Sequence, residues 1–173
     1  MDLVNFEEEL SKIQDEEIRN LTKECLKNAP PHFWYRPASS TGKYHAPEEN
    51  EQGGLIIHTK RVCKIAELLI AGWVDNINAD VIRSACILHD ICKYGEGYSA
   101  SRYTLNNHPA LGAQFIRIMA QNKYNTSKVD AVANAVTSHM GKFGQGFISA
   151  PENLITHLAD LLATEVYITR SKE

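Results

Sequence analysis

The stretch Ala85-Cys86-Ile87-Leu88-His89-Asp90-Ile91-Cys92-Lys93 is an apolar run that ends in a His-Asp pair, with a lysine three residues after the aspartate. Its aliphatic residues are predicted to be buried, so the imidazole and the carboxylate are carried toward the interior. Buried ionisable groups are costly unless they are paired or bind a metal. The chain therefore has to supply partners for this pair. The candidates are His58, His108, His139 and Asp160.

The size and charge of the chain narrow the classes of function. Its 173 residues suit one domain with a core large enough to need no disulfides. Eighteen Lys and Arg residues against 21 Asp and Glu residues give a formal net charge of −3. A long nucleic-acid groove usually carries a basic surface, and this composition does not indicate one. The charge therefore favours small phosphorylated substrates or the ends of nucleic-acid strands.

The cysteines and the N-terminal residues indicate a compartment. The four cysteines include no Cys-x-x-Cys pair, which argues against a zinc-thiolate module and favours buried free thiols in a reducing environment. Acidic residues follow soon after Met1, which predicts that there is no signal peptide. No apolar run approaches the length of a membrane span. We therefore expect a cytoplasmic protein that does not bind membranes.

Apolar residues recur at helical spacing through most of the chain, and no stretch has a convincing strand pattern. The first helical region covers residues 3–28, with a possible break near Asp15. Further helices are predicted over 53–72, over 79–92, from Asn107 or His108, up to His139, and from Pro151 onward. The predicted fold is an all-α, single-domain helical bundle. Residues 1–28 are interpreted as an N-terminal helical segment and residues 29–173 as the main domain.

Polar residues mark where two of these helices begin. Asn78 or Asp80 is predicted to cap the helix that leads to the His-Asp pair, because a short polar side chain can accept from free backbone N–H groups. Ser127 and Asp130 have the spacing of a capping box for the helix that ends at His139. Both signals place a histidine at the far end of the helix that they start.

Three segments lack helical periodicity and are predicted to be loops. Residues 32–52 contain the aromatic run Phe33-Trp34-Tyr35, interpreted as core packing, and His45, interpreted as a surface histidine with substrate binding as the alternative. Residues 94–106 carry Arg102, and the glycine-rich residues 141–146 carry Lys142. Long aperiodic connections inside a compact domain are often functional.

The candidate ligands form a recognisable chemical set. Imidazole and carboxylate without thiolate suit Mn, Fe, Co, Ni or Zn, and carboxylate with water also suits Mg. Asp90 has two oxygens and can bridge two ions, which two-metal hydrolases hold roughly 3.5–4 Å apart. We therefore expect divalent metals, two in number, bound by six residues. These are His58, His89, Asp90, His108, His139 and Asp160.

Cationic residues near these ligands are candidates for binding a phosphate. Lys93 and Lys142 each follow a predicted ligand by three residues, and Arg102 lies on a loop between ligands. With Asp90, the two lysines form the predicted catalytic set, and His45 joins the cations as a candidate for substrate binding. His157 lies three residues before Asp160 and is predicted either to hydrogen-bond that carboxylate or to be a packed core histidine.

The order His58…His89-Asp90…His108…His139…Asp160 resembles the HD-domain superfamily of metal-dependent phosphohydrolases. Further matches are similar to the HD domain of bacterial 3′–5′ exoribonucleases. They are Pro37-Ala38, His45-Ala46, Gly53-Gly54-Leu55-Ile56-Ile57-His58-Thr59, Leu88-His89-Asp90-Ile91-Cys92-Lys93, Ser138-His139-Met140-Gly141-Lys142 and Leu158-Ala159-Asp160.

The resemblance implies a metal site in the core of the bundle. One ion is implied at His58, His89, Asp90 and Asp160, and a second at Asp90, His108 and His139. The exoribonucleases often have a histidine where this chain has Met140. A thioether is a poor ligand for these ions, so the second ion is expected to be bound more weakly.

The expected activity is hydrolysis of phosphoester bonds in a nucleotide, dinucleotide or short oligonucleotide, with a metal-bridged hydroxide as the nucleophile. Two other interpretations stay open at this point. One is an HD-domain regulator that binds a nucleotide without turnover. The other is an oxygenase with a mixed-valent pair of iron ions.

Overall fold

The computed structural model describes residues 3–43, 45–144 and 146–164, and these residues form helices and turns without any strand. This confirms the predicted all-α fold. Short 3₁₀ helices cover Leu3–Phe6, Pro47–Asn50 and Gly141–Phe143. The α-helices are α1 Glu7–Lys12, α2 Glu16–Lys27, α3 Pro31–Tyr35, α4 Gly54–Gly72, α5 Ala79–Leu88, α6 His108–Ala120, α7 Thr126–Ser138 and α8 Pro151–Thr164.

Helix α5 lies at the centre of the bundle. It packs against α1, α2, α4, α7 and α8. Ala85, Cys86, Ile87 and Leu88 are completely buried, as the apolar run predicts. A helical turn that is apolar on all sides, like the last turn of α5, has to be surrounded by other helices. Its C-terminal end therefore delivers His89 and Asp90 to the interior.

The N-terminal helical region is broken near Asp15, as predicted. The Asp15 carboxylate accepts from the backbone N–H groups of Glu17 and Ile18 at 3.0 and 3.1 Å, and so caps α2. Phe6 and Leu10 lie in the same apolar core as α5. The predicted boundary after residue 28 stays a prediction.

The helix predicted over residues 79–92 is shorter than expected. Helix α5 ends at Leu88, and the chain continues in tight turns. These turns close over three residues: the N–H of Ile91 donates to Leu88, and that of Lys93 donates to Asp90. Bonds over three residues tighten the chain relative to an α-helix. The His-Asp pair therefore lies in a tightened turn rather than inside a helix.

One predicted cap is confirmed and another is wrong. The Asn78 side chain accepts from the first N–H groups of α5. The predicted capping box of Ser127 and Asp130 does not form. Instead Asn125 caps α7, and Asp130 pairs with Arg117 on α6 at 3.0 Å. An asparagine is as good a cap as serine and lies two residues earlier.

The segment predicted to be an aperiodic loop contains α3 and the 3₁₀ helix Pro47–Asn50. Both elements are too short for an apolar period to show in the sequence. Phe33 is fully buried and Trp34 packs against the core, whereas Tyr35 is 42% exposed. The interpretation of the aromatic run as core packing is therefore correct for two of its three residues.

The predicted free cysteines are confirmed, since all four thiols are buried and unbridged. Among the described residues, no helix has both the length and the apolar character that a membrane crossing requires.

Candidate metal centre

The predicted ligands meet at one place because the helices that carry them converge there. His58 lies in the second turn of α4, and Asp160 lies on α8, which packs against α4. His89 and Asp90 follow the end of α5. His108 is the first residue of α6, and His139 follows the last residue of α7. The helices thus bring ligands from distant parts of the chain together.

One half of the centre contains His58, His89 and Asp160, whose ligand atoms all lie within 4.8 Å of one another. Asp160 Oδ1 is 3.0 Å from His58 Nε2 and 3.7 Å from His89 Nε2. Both imidazoles are fully buried, and the Asp160 side chain is 15% exposed. This half therefore retains limited contact with solvent through the carboxylate.

The other half contains Asp90, His108 and His139. Asp90 Oδ1 is 3.0 Å from His108 Nε2 and 3.7 Å from His139 Nε2, and these two nitrogens are 3.1 Å apart. Each of the two imidazoles donates its Nδ1–H to a backbone carbonyl at 2.7 Å. A neutral ring that donates from Nδ1 has only a lone pair at Nε2. Three lone pairs therefore converge, and a cation fits between them.

His89 and Asp90 join the two halves. His89 Nε2 is 3.3 Å from Asp90 Oδ2, and His89 Nδ1 donates to the carbonyl of Cys86 at 2.8 Å. Among the described residues, His89 Nε2 and Asp90 Oδ1 have no hydrogen-bond partner although both are buried. Buried polar atoms are rarely left unsatisfied, and a metal site is one reason for the exceptions. The residues present therefore fit a divalent metal in each half.

The charges around the centre keep both aspartates ionised. Burial by itself raises the pKa of Asp90, but the Lys93 ammonium and the neighbouring imidazoles hold it well below its usual value. Burial also opposes ionisation of Asp160, and His58 and His89 outweigh it, so that this pKa is lowered too. For His139, burial and the adjacent imidazoles act in the same direction and lower its pKa to about 3. His139 is therefore neutral near pH 7, as a metal ligand must be.

Comparison with known proteins agrees with this geometry. The family model for the HD domain matches residues 55–165, which contain all six predicted ligands. The chain belongs to the HD-domain family. A curated relative, the dihydroneopterin 2′,3′-cyclic phosphate phosphodiesterase of Methanocaldococcus jannaschii, is 28% identical over 160 residues. The alignment covers 86% of this chain and 64% of that relative, so the chain spans just under two thirds of its length. No solved structure matches the chain at a comparable level.

The three cationic residues predicted to bind phosphate lie in different environments. Lys93 is buried and its Nζ lies 2.5 Å from Asp90 Oδ2, directly at the centre. Lys142 and Arg102 are both exposed. Lys142 lies in the 3₁₀ helix Gly141–Phe143, over the ring of Phe143, and Arg102 lies on a loop, over the ring of Tyr103. The roles of all three in binding phosphate stay predictions.

His157 does not bond the carboxylate of Asp160. Its Nδ1 donates to the backbone carbonyl of His139 at 2.6 Å. The ring also fills the space beside Gly141, where a Cβ atom would lie 2.5 Å from it. His157 thus fixes the backbone that carries a candidate ligand.

The chain also contains a buried carboxylate that sequence analysis missed. Glu49 is fully buried, and its Oε2 lies 3.0 Å from His45 Nδ1 and 3.4 Å from His58 Nδ1. The prediction that His45 lies on the surface is wrong, since its side chain is only 7% exposed. The acidic run around Glu49 resembled a solvated surface, but the adjacent Gly53-Gly54 pair was a signal that another segment approaches the start of α4 closely.

Proposed function

We propose that this chain is a metal-dependent phosphohydrolase that cleaves a phosphodiester of a nucleotide or a nucleotide-like small molecule. The observation that carries the proposal is the convergence of six candidate nitrogen and oxygen ligands, five of them buried and Asp160 partly exposed. Two of these ligand atoms, His89 Nε2 and Asp90 Oδ1, lack any hydrogen-bond partner among the described residues. Membership of the HD-domain family supports the same reaction class.

The ligands divide between two ions. His58, His89 and Asp160 would hold one ion, Asp90, His108 and His139 would hold the second, and Asp90 lies where it can reach both. When bound, a pair of divalent ions would lower the pKa of a shared water and neutralise charge on the phosphoryl oxygens. The metals can be any of Mn, Fe, Co, Ni, Zn or Mg, since the ligand set suits several of them.

The protein's own residues would orient this chemistry. His89, His108 and His139 each use Nδ1 to donate to a carbonyl three residues earlier, which fixes the ring and leaves Nε2 for the ion. Lys93 places a buried positive charge against Asp90, and so keeps that carboxylate ionised and immobile. We propose that the same ammonium attracts the phosphate group of the substrate.

Two observations favour a small substrate. The relative from Methanocaldococcus jannaschii is named for a 2′,3′-cyclic phosphate of a small molecule, in which one phosphorus is bonded to two neighbouring oxygens of the same molecule. The net charge of −3 gives no long-range attraction for a nucleic-acid backbone. We therefore propose cyclic nucleotides and dinucleotides as substrates ahead of long RNA, with the exposed Arg102 and Lys142 as further phosphate contacts.

The test combines metal analysis with a substrate screen. Purified protein should contain close to two divalent ions per chain, and should hydrolyse bis-p-nitrophenyl phosphate, a 2′,3′-cyclic nucleotide or a dinucleotide in the presence of Mn, Co, Ni or Mg. Asp90→Asn should lose metal and activity, whereas Asp130→Asn, which changes a surface carboxylate paired with Arg117, should keep both. Full turnover by Asp90→Asn would refute the proposal. Tight nucleotide binding without turnover, or oxygen consumption by an iron-loaded protein, would refute the phosphohydrolase in favour of another activity.

A further inference from the structure

The four histidines of the centre are oriented in two different ways. Three of them donate Nδ1–H to the backbone carbonyl three residues earlier, at 2.7 or 2.8 Å. His89 and His139 follow the last residue of a helix, where carbonyl groups lack partners inside the helix, and His108 begins a helix and uses a carbonyl of the preceding turn. These residues are His89, His108 and His139, and their acceptors belong to Cys86, Leu105 and Val136.

His58 has no such bond to a carbonyl among the described residues. It lies inside α4, where the carbonyl groups of the preceding turn already accept from the helix itself. Its Nε2 faces Asp160 at 3.0 Å. Its Nδ1 is buried without a regular hydrogen bond among the described residues and lies 3.4 Å from Oε2 of Glu49, within ion-pair distance. A side chain from another segment thus takes the place that the backbone carbonyl takes for the other three rings.

Glu49 is held firmly in that place. Its Oε1 pairs with Arg61 on α4 at 3.2 Å, and its Oε2 accepts from His45 at 3.0 Å. Its backbone carbonyl also accepts from the N–H of Ala38 at 2.8 Å. A buried carboxylate is strongly unfavourable without such partners. The contacts of this residue therefore keep its charge directed at the His58 ring.

We infer that Glu49 is a positioning residue, which holds the His58 ring so that Nε2 points into the centre and makes that nitrogen a stronger metal ligand. The inference rests on the metal centre of the proposed function. A carboxylate behind a metal-binding histidine commonly contributes 10- to 100-fold in metal affinity. Arg61 on the other oxygen argues against the alternative in which Glu49 binds a third ion, because a fixed positive charge repels a cation.

The test measures metal affinity, and not only turnover. Glu49→Gln keeps the size of the side chain but removes its charge, and should weaken binding of Mn²⁺ by about 10- to 100-fold in calorimetric titrations. The matched control is Glu48→Gln, because Glu48 also pairs with Arg61, at 2.6 Å, but is exposed and lies outside the His58 contact. It should bind Mn²⁺ like the wild type.

The outcomes distinguish a failure of the proposed metal centre from a failure of the inference about Glu49. A wild-type protein that binds no metal refutes the proposed centre and the inference with it. Wild-type binding with unchanged affinity in Glu49→Gln refutes the inference alone. Loss of a third ion in Glu49→Gln also overturns it, in favour of a metal ligand. A measurement on the wild type needs no variant to fold: the ring ¹⁵N shifts of the Zn²⁺-loaded protein should show the His58 proton on Nδ1, and a proton on Nε2 would overturn the inference.

Discussion

Replacing Gly54 with alanine should damage the metal centre without touching any of its ligands. Gly54 is the first residue of α4, after Gly53 with its left-handed φ of 81°. The 3₁₀ helix Pro47–Asn50 lies directly against it. A Cβ atom at Gly54 would lie 2.0 Å from the carbonyl oxygen of Glu49 and 2.4 Å from its carbonyl carbon. The substitution therefore pushes Glu49 away from α4, and so away from His58.

The size of the effect follows from these distances. Because carbon and oxygen atoms cannot approach to 2.0 Å, the segment carrying Glu49 has to retreat by roughly 1 Å or more. Such overpacking costs about 1–3 kcal/mol, and the better helix propensity of alanine returns at most about 1 kcal/mol. A net loss of about 1–2 kcal/mol lowers Tm by roughly 2–8 °C in a chain of this size. The contact between Glu49 and His58 is already 3.4 Å, so the shift breaks it.

The assay compares two glycines of the same helix. Gly72 ends α4, and a Cβ atom there would have no heavy atom within 4 Å. Gly72→Ala should therefore melt at or above the wild-type temperature and bind Mn²⁺ normally. Gly54→Ala should melt lower in scanning calorimetry and bind Mn²⁺ about 10- to 100-fold more weakly. If the two variants have the same Tm and the same affinity for Mn²⁺, the close contact between Gly54 and Glu49 affects neither stability nor metal binding, and the reasoning is refuted.

Three further predictions concern the metal, the pH and a buried hydrogen bond. Wild-type protein treated with a chelator should melt roughly 5–11 °C below the same protein with metal at a concentration of 100 times Kd, because metal binding then adds about 2.7 kcal/mol to the free energy of unfolding. Asp90→Asn should have the same Tm with and without the chelator. Burial lowers the pKa of His32 below 6.5, so the unfolded chain binds a proton at a higher pH than the folded chain. The stability that the neutral ring provides is fully present above pH 6.5 and is lost as the pH falls. The free energy of unfolding in urea should therefore decrease less from pH 7.5 to 5.5 in His32→Gln than in the wild type. Thr22 Oγ1 and Ser84 Oγ lie 2.7 Å apart in the core. Thr22→Val should lower the free energy of unfolding in urea by about 1–3 kcal/mol, because it leaves the buried Ser84 hydroxyl without this partner. Adding Ser84→Ala should recover part of that loss, and no recovery would contradict this explanation.

The fold was predictable because it depends on long apolar patterns. The apolar run before His89 predicts the central helix, and Asn78 and Pro151 mark helix starts correctly. What the pattern could not show was where a helix tightens. Helix α5 ends at Leu88 rather than at residue 92, because three-residue hydrogen bonds take over in a segment that stays buried. Periodicity does not separate these two kinds of turn over four residues.

The centre was predictable residue by residue, but its surroundings were not. The six candidate ligands could be chosen from residue type and from the resemblance, and the structure places them in two adjoining groups. That they bind metal stays a prediction. Glu49 could not be chosen, because its neighbours Glu48 and Glu51 have the same chemistry and its burial depends on Gly54 and Arg61. A solvated acidic run and a buried positioning carboxylate look alike in sequence when only one of several residues is turned inward.

The charges of the centre explain how an acidic chain could bind an anionic substrate. The carboxylates of Asp90, Asp160 and Glu49 lie near the ammonium of Lys93 and the guanidinium of Arg61, which leaves one net negative charge when the imidazoles are neutral, as ligands are. Without metal, burial opposes protonation of His58 but Asp160 and Glu49 raise its pKa to about 9, so its proton offsets that charge. Two divalent ions would give the buried site, where charges are screened least, a net positive charge. Substrate attraction would then be local and dependent on metal loading, rather than a property of the surface. Binding of a phosphodiester to the metal-free protein should accordingly be weak, even though every protein residue of the site is in place.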